Sequence, residues 1–318
     1  MTLLDTMTIP QSALPHRVND TILETTPLHR YCADPNLTVF DGHYYLYCTD
    51  DGVDDWGTTV FSVYDSDDLV RWNRHPALDL RDVPWWDGTD GAWAPATIRR
   101  ADGRYVMYFV AGSRIGAAVA DTPTGPFRAE SEPIIEQGTF DCHTIDPAVF
   151  TDDDGTQWLL WGNGRAWAAP LATDCLSFDA SRAIEWVPPG FREAIWIHKR
   201  DGIYYASWSC NDARDESYCV RYATAPSLTG PWSEPKPLLT PDPSRKLYAT
   251  GHHSITNIPG TDEWIIAYHR FAFNPNGRWE GGNGFRRETV FAPLHHRADG
   301  TIEQIQPEVG SYWRPLNL

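Results

Sequence analysis

One unit recurs along this chain: an apolar strand, a turn built on Asp and Gly, and a second strand rich in Tyr, Trp and Leu. The copies are PNLTVFDGHYYLYCTD from Pro35, PATIRRADGRYVMYFVAG from Pro95, PAVFTDDDGTQWLLWGNG from Pro147, AIWIHKRDGIYYASWSCND from Ala194 and SITNIPGTDEWIIAYHRF from Ser254. Asp-Gly between alternating strands is a strong hairpin signal. The starts are 60, 52, 47 and 60 residues apart, room for four strands per copy. The second halves also rhyme: SVYDSDDLVRWNRHPAL, AAVADTPTGPFRAESEP and VRYATAPSLTGPWSEPKPL each run strand, turn, aromatic, strand. Two hairpins per unit and five units predict an all-β chain folded as a five-bladed β-propeller. A β-sandwich or jelly roll is the alternative, but neither requires five copies in phase. The last segment, from Arg287, adds a hairpin at Asp299-Gly300 and is expected to complete the final blade beside an N-terminal strand. No composition shift marks a boundary. A single domain over 1–318 is expected, with 1–20 an N-terminal arm.

The chain carries 26 Lys and Arg against 43 Asp and Glu, a formal charge of −17. Nucleic acids and anionic membranes need a basic surface, so both are excluded as partners. A neutral oligosaccharide is compatible. The 15 Trp suit strands, and a ring face also packs on the apolar face of a sugar, although most of them are expected in the core. No run of eighteen apolar residues occurs, and the N-terminal residues lack a basic and then apolar leader pattern. A cytoplasmic enzyme is the expectation. The six scattered cysteines, with no C-x-x-C, are then expected to be reduced.

Propeller blades gather the starts of their first strands at one mouth. Three copies place a carboxylate there: Asp34 in CADPN, Asp146 in HTIDPA and Glu193 in FREAIW. Packing alone gives no reason for this, since charges crowded into a narrow channel cost folding energy and shift one another's pKa values. Glycoside hydrolysis does give one. It needs a carboxyl kept protonated for the leaving oxygen and another kept ionised to activate water or attack. A third carboxylate can hold the acid protonated.

At these residues the chain resembles glycoside hydrolase family 43. The resemblance runs from about Arg30 to Pro307 and rests on ADPNLTVFDGHYYLY, WAPATIRRADGRYVMYF, TIDPAVFTDDDGTQWLLWG, EAIWIHKRDGIYYASWS, TGHHSI and RRET, in that order. It implies a five-bladed propeller and an inverting mechanism, with Asp34 as general base, Glu193 as general acid and Asp146 orienting the acid and tuning its pKa. It also implies that Arg287, with Arg286 as its neighbouring rival, binds hydroxyls of the terminal sugar. His252 or His253 would sit below the catalytic centre, where a calcium ion is bound directly or through water. Trp93 would line the sugar pocket, and Trp86, beside Trp85, is a further candidate wall.

The family splits mainly among α-L-arabinofuranosidases, β-xylosidases and endo-arabinanases. Many of its β-xylosidases add a C-terminal β-sandwich. This chain ends with the propeller, which tilts the expectation to an exo-acting arabinofuranosidase, with β-xylosidase as the alternative. A retaining fructosidase would carry Asn-Asp-Pro-Asn-Gly where this chain reads Ala33-Asp34-Pro35-Asn36-Leu37. A non-catalytic sugar-binding propeller would have no reason to keep all three acids.

Overall fold

The computed structural model describes residues 7–8, 22–23, 28, 31–272, 284–314 and 316. Its strands form five blades in a ring, as the repeat predicts. Blade 1 holds Cys32–Phe40, His43–Asp50, Val60–Ser66 and Asn73–Asp79, counted outward. Blade 2 holds Trp93–Arg99, Tyr105–Ala111, Arg114–Ala120 and Arg128–Ala129. Blade 3 holds Ala148–Thr151, Gln157–Trp161, Ala166–Pro170 and Ile184–Trp186, and blade 4 holds Glu193–Arg200, Ile203–Cys210, Cys219–Ala225 and Lys236–Leu239. Among the described residues blade 5 has three strands: Gly251–Asn257, Trp264–Phe271 and Arg287–Leu294. Beside it, Ser311–Tyr312 pairs with Ile22–Leu23, so the C-terminal segment does meet an N-terminal strand. The expected hairpin at Asp299-Gly300 is present, with His296 bridged to Ile302. The expected N-terminal arm lies outside the described residues except for Met7–Thr8, which pairs with the outer strand of blade 1.

The hairpin turns form for the reason the sequence suggests. At Asp41-Gly42 and Asp201-Gly202 both residues have positive φ, 48° and 81° and then 52° and 77°. Two such residues make the turn whose twist matches the strands on either side. The core lies in the seams between blades. Blades 1 and 2 share Phe61, Tyr105 and Phe109; blades 2 and 3 share Tyr108, Val110 and Trp161. Blades 3, 4 and 5 share Phe150, Trp208 and Tyr268. Blades 5 and 1 close the ring through Trp72 stacked on Phe291, centroids 5.6 Å apart.

The expectation of six reduced cysteines is corrected. Cys32 and Cys48, on neighbouring strands of blade 1 with Cα atoms 6.0 Å apart, are disulfide-bonded. Cys142, Cys175, Cys210 and Cys219 are free.

Candidate active site

The top of each innermost strand carries one residue in the left-handed region: Asp34 (φ 52°), Ala94 (44°), Asp146 (57°), Ala194 (56°) and His252 (38°). In blades 1, 2, 4 and 5 the pairing register slips at this point, as a bulge does when it re-aims side chains. Non-glycine residues held there cost about 1–3 kcal/mol each. Five matched copies mean the kink belongs to the blade plan. They also correct one detail of the sequence reading. Asp34 and Asp146 are true equivalents, but Glu193 stands one residue earlier, level with Trp93 and Gly251. The acid therefore leaves the strand on the other phase of the pleat.

Asp34, Asp146 and Glu193 are all buried at this mouth. Asp34 is gripped on every side. Thr49 Oγ1 donates to Oδ2 at 2.7 Å, Arg287 Nη1 donates to Oδ1 at 2.9 Å, and His252 Nδ1 lies 3.1 Å from Oδ1. Its backbone N–H donates to His269 Nδ1 at 3.2 Å, which makes that ring a neutral acceptor. Burial opposes a charge on Asp34, but the cations of Arg287 and His252 overcome it and hold its pKa well below the usual carboxylate value. Burial, with the charges of Glu193 and Asp34 behind it, pushes Asp146 the other way, up to about 7 against the pull of His252. Asp146 Oδ2 has no hydrogen-bond partner among the described residues, with His252 Nδ1 3.8 Å away. One mouth thus contains a carboxylate held ionised, Asp34, and a carboxyl raised into the neutral range, Asp146.

Glu193 Oε1 accepts the Tyr218 hydroxyl at 2.8 Å, and Oε2 accepts Asn163 Nδ2 at 2.6 Å. Burial opposes a charge on His252, yet Asp34, Asp146 and Glu193 outweigh it and raise its pKa to about 9. His252 is therefore an imidazolium among three carboxyls. His253 faces away from them, with Nε2 2.6 Å from Ser207 Oγ. Of the two arginines, Arg287 is the buried one that reaches the site. Its Nε and backbone N–H both donate to Asp51 Oδ2 at 2.9 Å. Arg286 turns out to Asp54, 3.3 Å away.

Trp93 donates to Trp56 O at 2.8 Å and meets the Trp56 ring edge to face, and Trp56 packs on Phe285 with centroids 4.8 Å apart. These three rings are partly buried. Trp86 is placed elsewhere. Its indole N–H donates to Thr89 O at 2.9 Å, and the ring packs on the seam of blades 1 and 2. Sequence reasoning missed Thr49, Asp51, Trp56, Asn163, Tyr218 and His269. All but His269 lie in or beside the loops that join second to third strands, where the repeat leaves no pattern.

A calcium ion was expected below the carboxylates. There the channel closes to about 10 Å³ between Asp34, Asp146, His252 and the prolines that follow the kinks, space for no more than a single water. Calcium takes six to eight oxygen ligands. Among the described residues no group of three or more His, Cys, Asp or Glu could hold a metal ion. The residues present do not fit this ion.

The sequence signature described as glycosyl hydrolases family 43 matches residues 26–302, most of the chain. The chain belongs to family 43. Among similar proteins, a β-D-galactofuranosidase of Aspergillus niger is 34% identical, over 77% of this chain and 76% of its own length. A xylosidase/arabinosidase of Bacteroides ovatus is 28% identical, over 87% and 95%. A family 43 β-xylosidase/α-arabinofuranosidase from a compost metagenome, solved with xylotriose in a calcium-free form, superposes with a TM-score of 0.73 at 30% identity, covering 92% of this chain and 98% of that one. This family 43 enzyme is a glycoside hydrolase, and the three carboxyls at its mouth are where the family motifs of the sequence converge.

Proposed function

We propose that this family 43 enzyme is an inverting, exo-acting hydrolase that releases terminal L-arabinofuranose from arabino-oligosaccharides or arabinoxylan fragments. The observation that carries the mechanism is the opposite tuning of Asp34 and Asp146 within one mouth. Asp34, held ionised, takes a proton from a water on one side of the anomeric carbon. Glu193, with Asp146 beside it, protonates the leaving oxygen on the other side. A base with so low a pKa pushes weakly. That suffices here, because the oxocarbenium-like transition state carries positive charge which the clustered carboxyls stabilise directly. Arg287 spends three of its side-chain N–H bonds on Asp34 and Asp51. It has two left for hydroxyls of the terminal sugar. Trp93, Trp56 and Phe285 supply the apolar wall.

The names of the relatives favour a second reading as strongly as the first, since xylosidase and arabinosidase stand side by side in them. Terminal xylose from xylo-oligosaccharides is that reading, and a galactofuranoside is a third substrate worth assaying. Steady-state rates on the p-nitrophenyl α-L-arabinofuranoside, β-D-xyloside and β-D-galactofuranoside decide among them. The proposal expects kcat/KM to be highest on the arabinofuranoside, and a clear preference for either of the others overturns the choice of sugar. Asp34→Ala and Glu193→Ala that hydrolyse at the parent rate would leave a sugar-binding propeller as the better description.

A further inference from the structure

Both oxygens of Glu193 are held by donors that the base and its partners do not explain. Tyr218, fully buried and stacked on His269 at 5.6 Å, donates to Oε1. Asn163 donates to Oε2 from the loop after the second strand of blade 3. That loop is itself fixed. Asn163 and His143 exchange backbone hydrogen bonds of 3.1 and 3.2 Å, and the Gly164 N–H donates to Arg192 O at 2.7 Å. Asn163 also lines an open groove of about 710 Å³, with Phe140, His143, Gly164 and Arg165. His143 is anchored there, its Nε2 2.9 Å from Ser113 Oγ, which in turn donates to Asp90.

We propose that Asn163 and Tyr218 are the positioning residues of the acid, and that the groove beyond Asn163 receives the leaving-group sugar. The inference rests on Glu193 being the acid. The glycosidic oxygen must meet Glu193 on the side away from Asp34, and the channel below is closed. Asn163 lines the groove and donates to the acid, which joins the two. Asn163 touches the acid with one N–H and has its carbonyl oxygen and second N–H for a hydroxyl of the leaving sugar, so occupancy of the groove and orientation of the acid are coupled through one amide. In the step itself the Glu193 proton passes to the glycosidic oxygen. The C1–O bond breaks with its electron pair going to that oxygen, water forms the new bond to C1, and Asp34 takes the water's proton. Glu193 finishes as a carboxylate, the form that two donors favour. Asn163 and Tyr218 therefore act most strongly as the proton leaves.

The test compares a p-nitrophenyl glycoside, whose leaving group needs little protonation, with the matching pentose disaccharide, whose leaving group needs a full proton. Asn163→Ala and Tyr218→Phe should each lose on the order of 100-fold in kcat/KM on the disaccharide, within the range of a general acid, and less than about 5-fold on the aryl glycoside. Asn163→Ala should also raise KM for the disaccharide selectively. A merely structural role does not move the leaving-group dependence. Where Asn163→Ala fails to fold, Tyr218→Phe carries the same comparison. Equal losses on both substrates, while Glu193→Gln shows the leaving-group dependence, overturn the inference and spare the acid. A Glu193→Gln variant with no such dependence overturns both.

Discussion

Thr49 does two things with one hydroxyl. It donates to Asp34 Oδ2, and it accepts the Ala94 N–H at 2.8 Å, tying the base of blade 1 to the kink of blade 2. Thr49→Val keeps the shape but strands a buried N–H, at a cost of about 1–3 kcal/mol. A drop in melting temperature and a roughly tenfold fall in kcat/KM, from the lost hydrogen bond to a charged group, are expected from calorimetry and steady-state kinetics. His252 and Asp146 set the pH response. His252 has its pKa raised from 6.5 to about 9, so it contributes stability that is complete below pH 6.5 and lost as pH rises through 9. Asp146, raised from 3.8 to about 7, also favours the protonated fold, and its contribution fades as pH climbs from 3.8 through 7. Both slopes have the same sign. The melting temperature should fall from neutral to alkaline pH, and His252→Gln should flatten the part between 6.5 and 9. A variant with the parent's alkaline slope would remove His252 from this account. Activity should follow Asp146 and decline above about pH 7.

The strand pair and the loop that follows it carry different kinds of information. Asp34 and Asp146 are legible in sequence because each precedes Pro at the head of an apolar strand, and Glu193 because it opens another such strand. The offset of Glu193 by one residue was not legible, since it depends on a backbone kink common to Asp34, Ala94, Asp146, Ala194 and His252. Residues such as Asp51, Asn163 and Tyr218 were invisible for another reason. They stand in loops whose sequences share nothing, and they gain a role only when the ring brings one blade's loop against another blade's strand. Asp51 and Arg287 show this most plainly, being 236 positions apart and both buried where blade 5 meets blade 1. Asp51→Asn keeps the side-chain shape and removes the charge that fixes the guanidinium. Breaking one partner of a buried ion pair costs about 3–5 kcal/mol. A clear loss of thermal stability is expected together with a 10- to 100-fold fall in kcat/KM, roughly that of one mislaid electrostatic contact. Unchanged kinetics in a folded Asp51→Asn protein would show that Arg287 needs no such support.

Taken whole, the ring makes the site, because no blade holds it alone. Asp34 comes from blade 1, Glu193 from blade 4, and His252 and Arg287 from blade 5, with Asp146 at the head of blade 3. The seam between blades 5 and 1 therefore has an outsized effect on catalysis. It is held by Trp72 on Phe291, by the Ser311 side chain accepting the Phe291 N–H at 3.1 Å, and by the pairing of Ile22–Leu23 with Ser311–Tyr312. Removing residues 311–318 should lower the melting temperature and kcat/KM together, since the same seam sets the distance from Arg287 to Asp34. Full activity in the shortened chain would contradict that coupling. The net charge of −17, by contrast, takes no part in binding a neutral sugar, and activity should vary little with salt. The central claim concerns the whole mouth: a water activated by Asp34 attacks from one side while Glu193 protonates on the other, in a single displacement. Proton NMR of the first sugar released from an α-L-arabinofuranoside, recorded before mutarotation, tests it most directly. The account predicts the β anomer first, and release of the α anomer would contradict it.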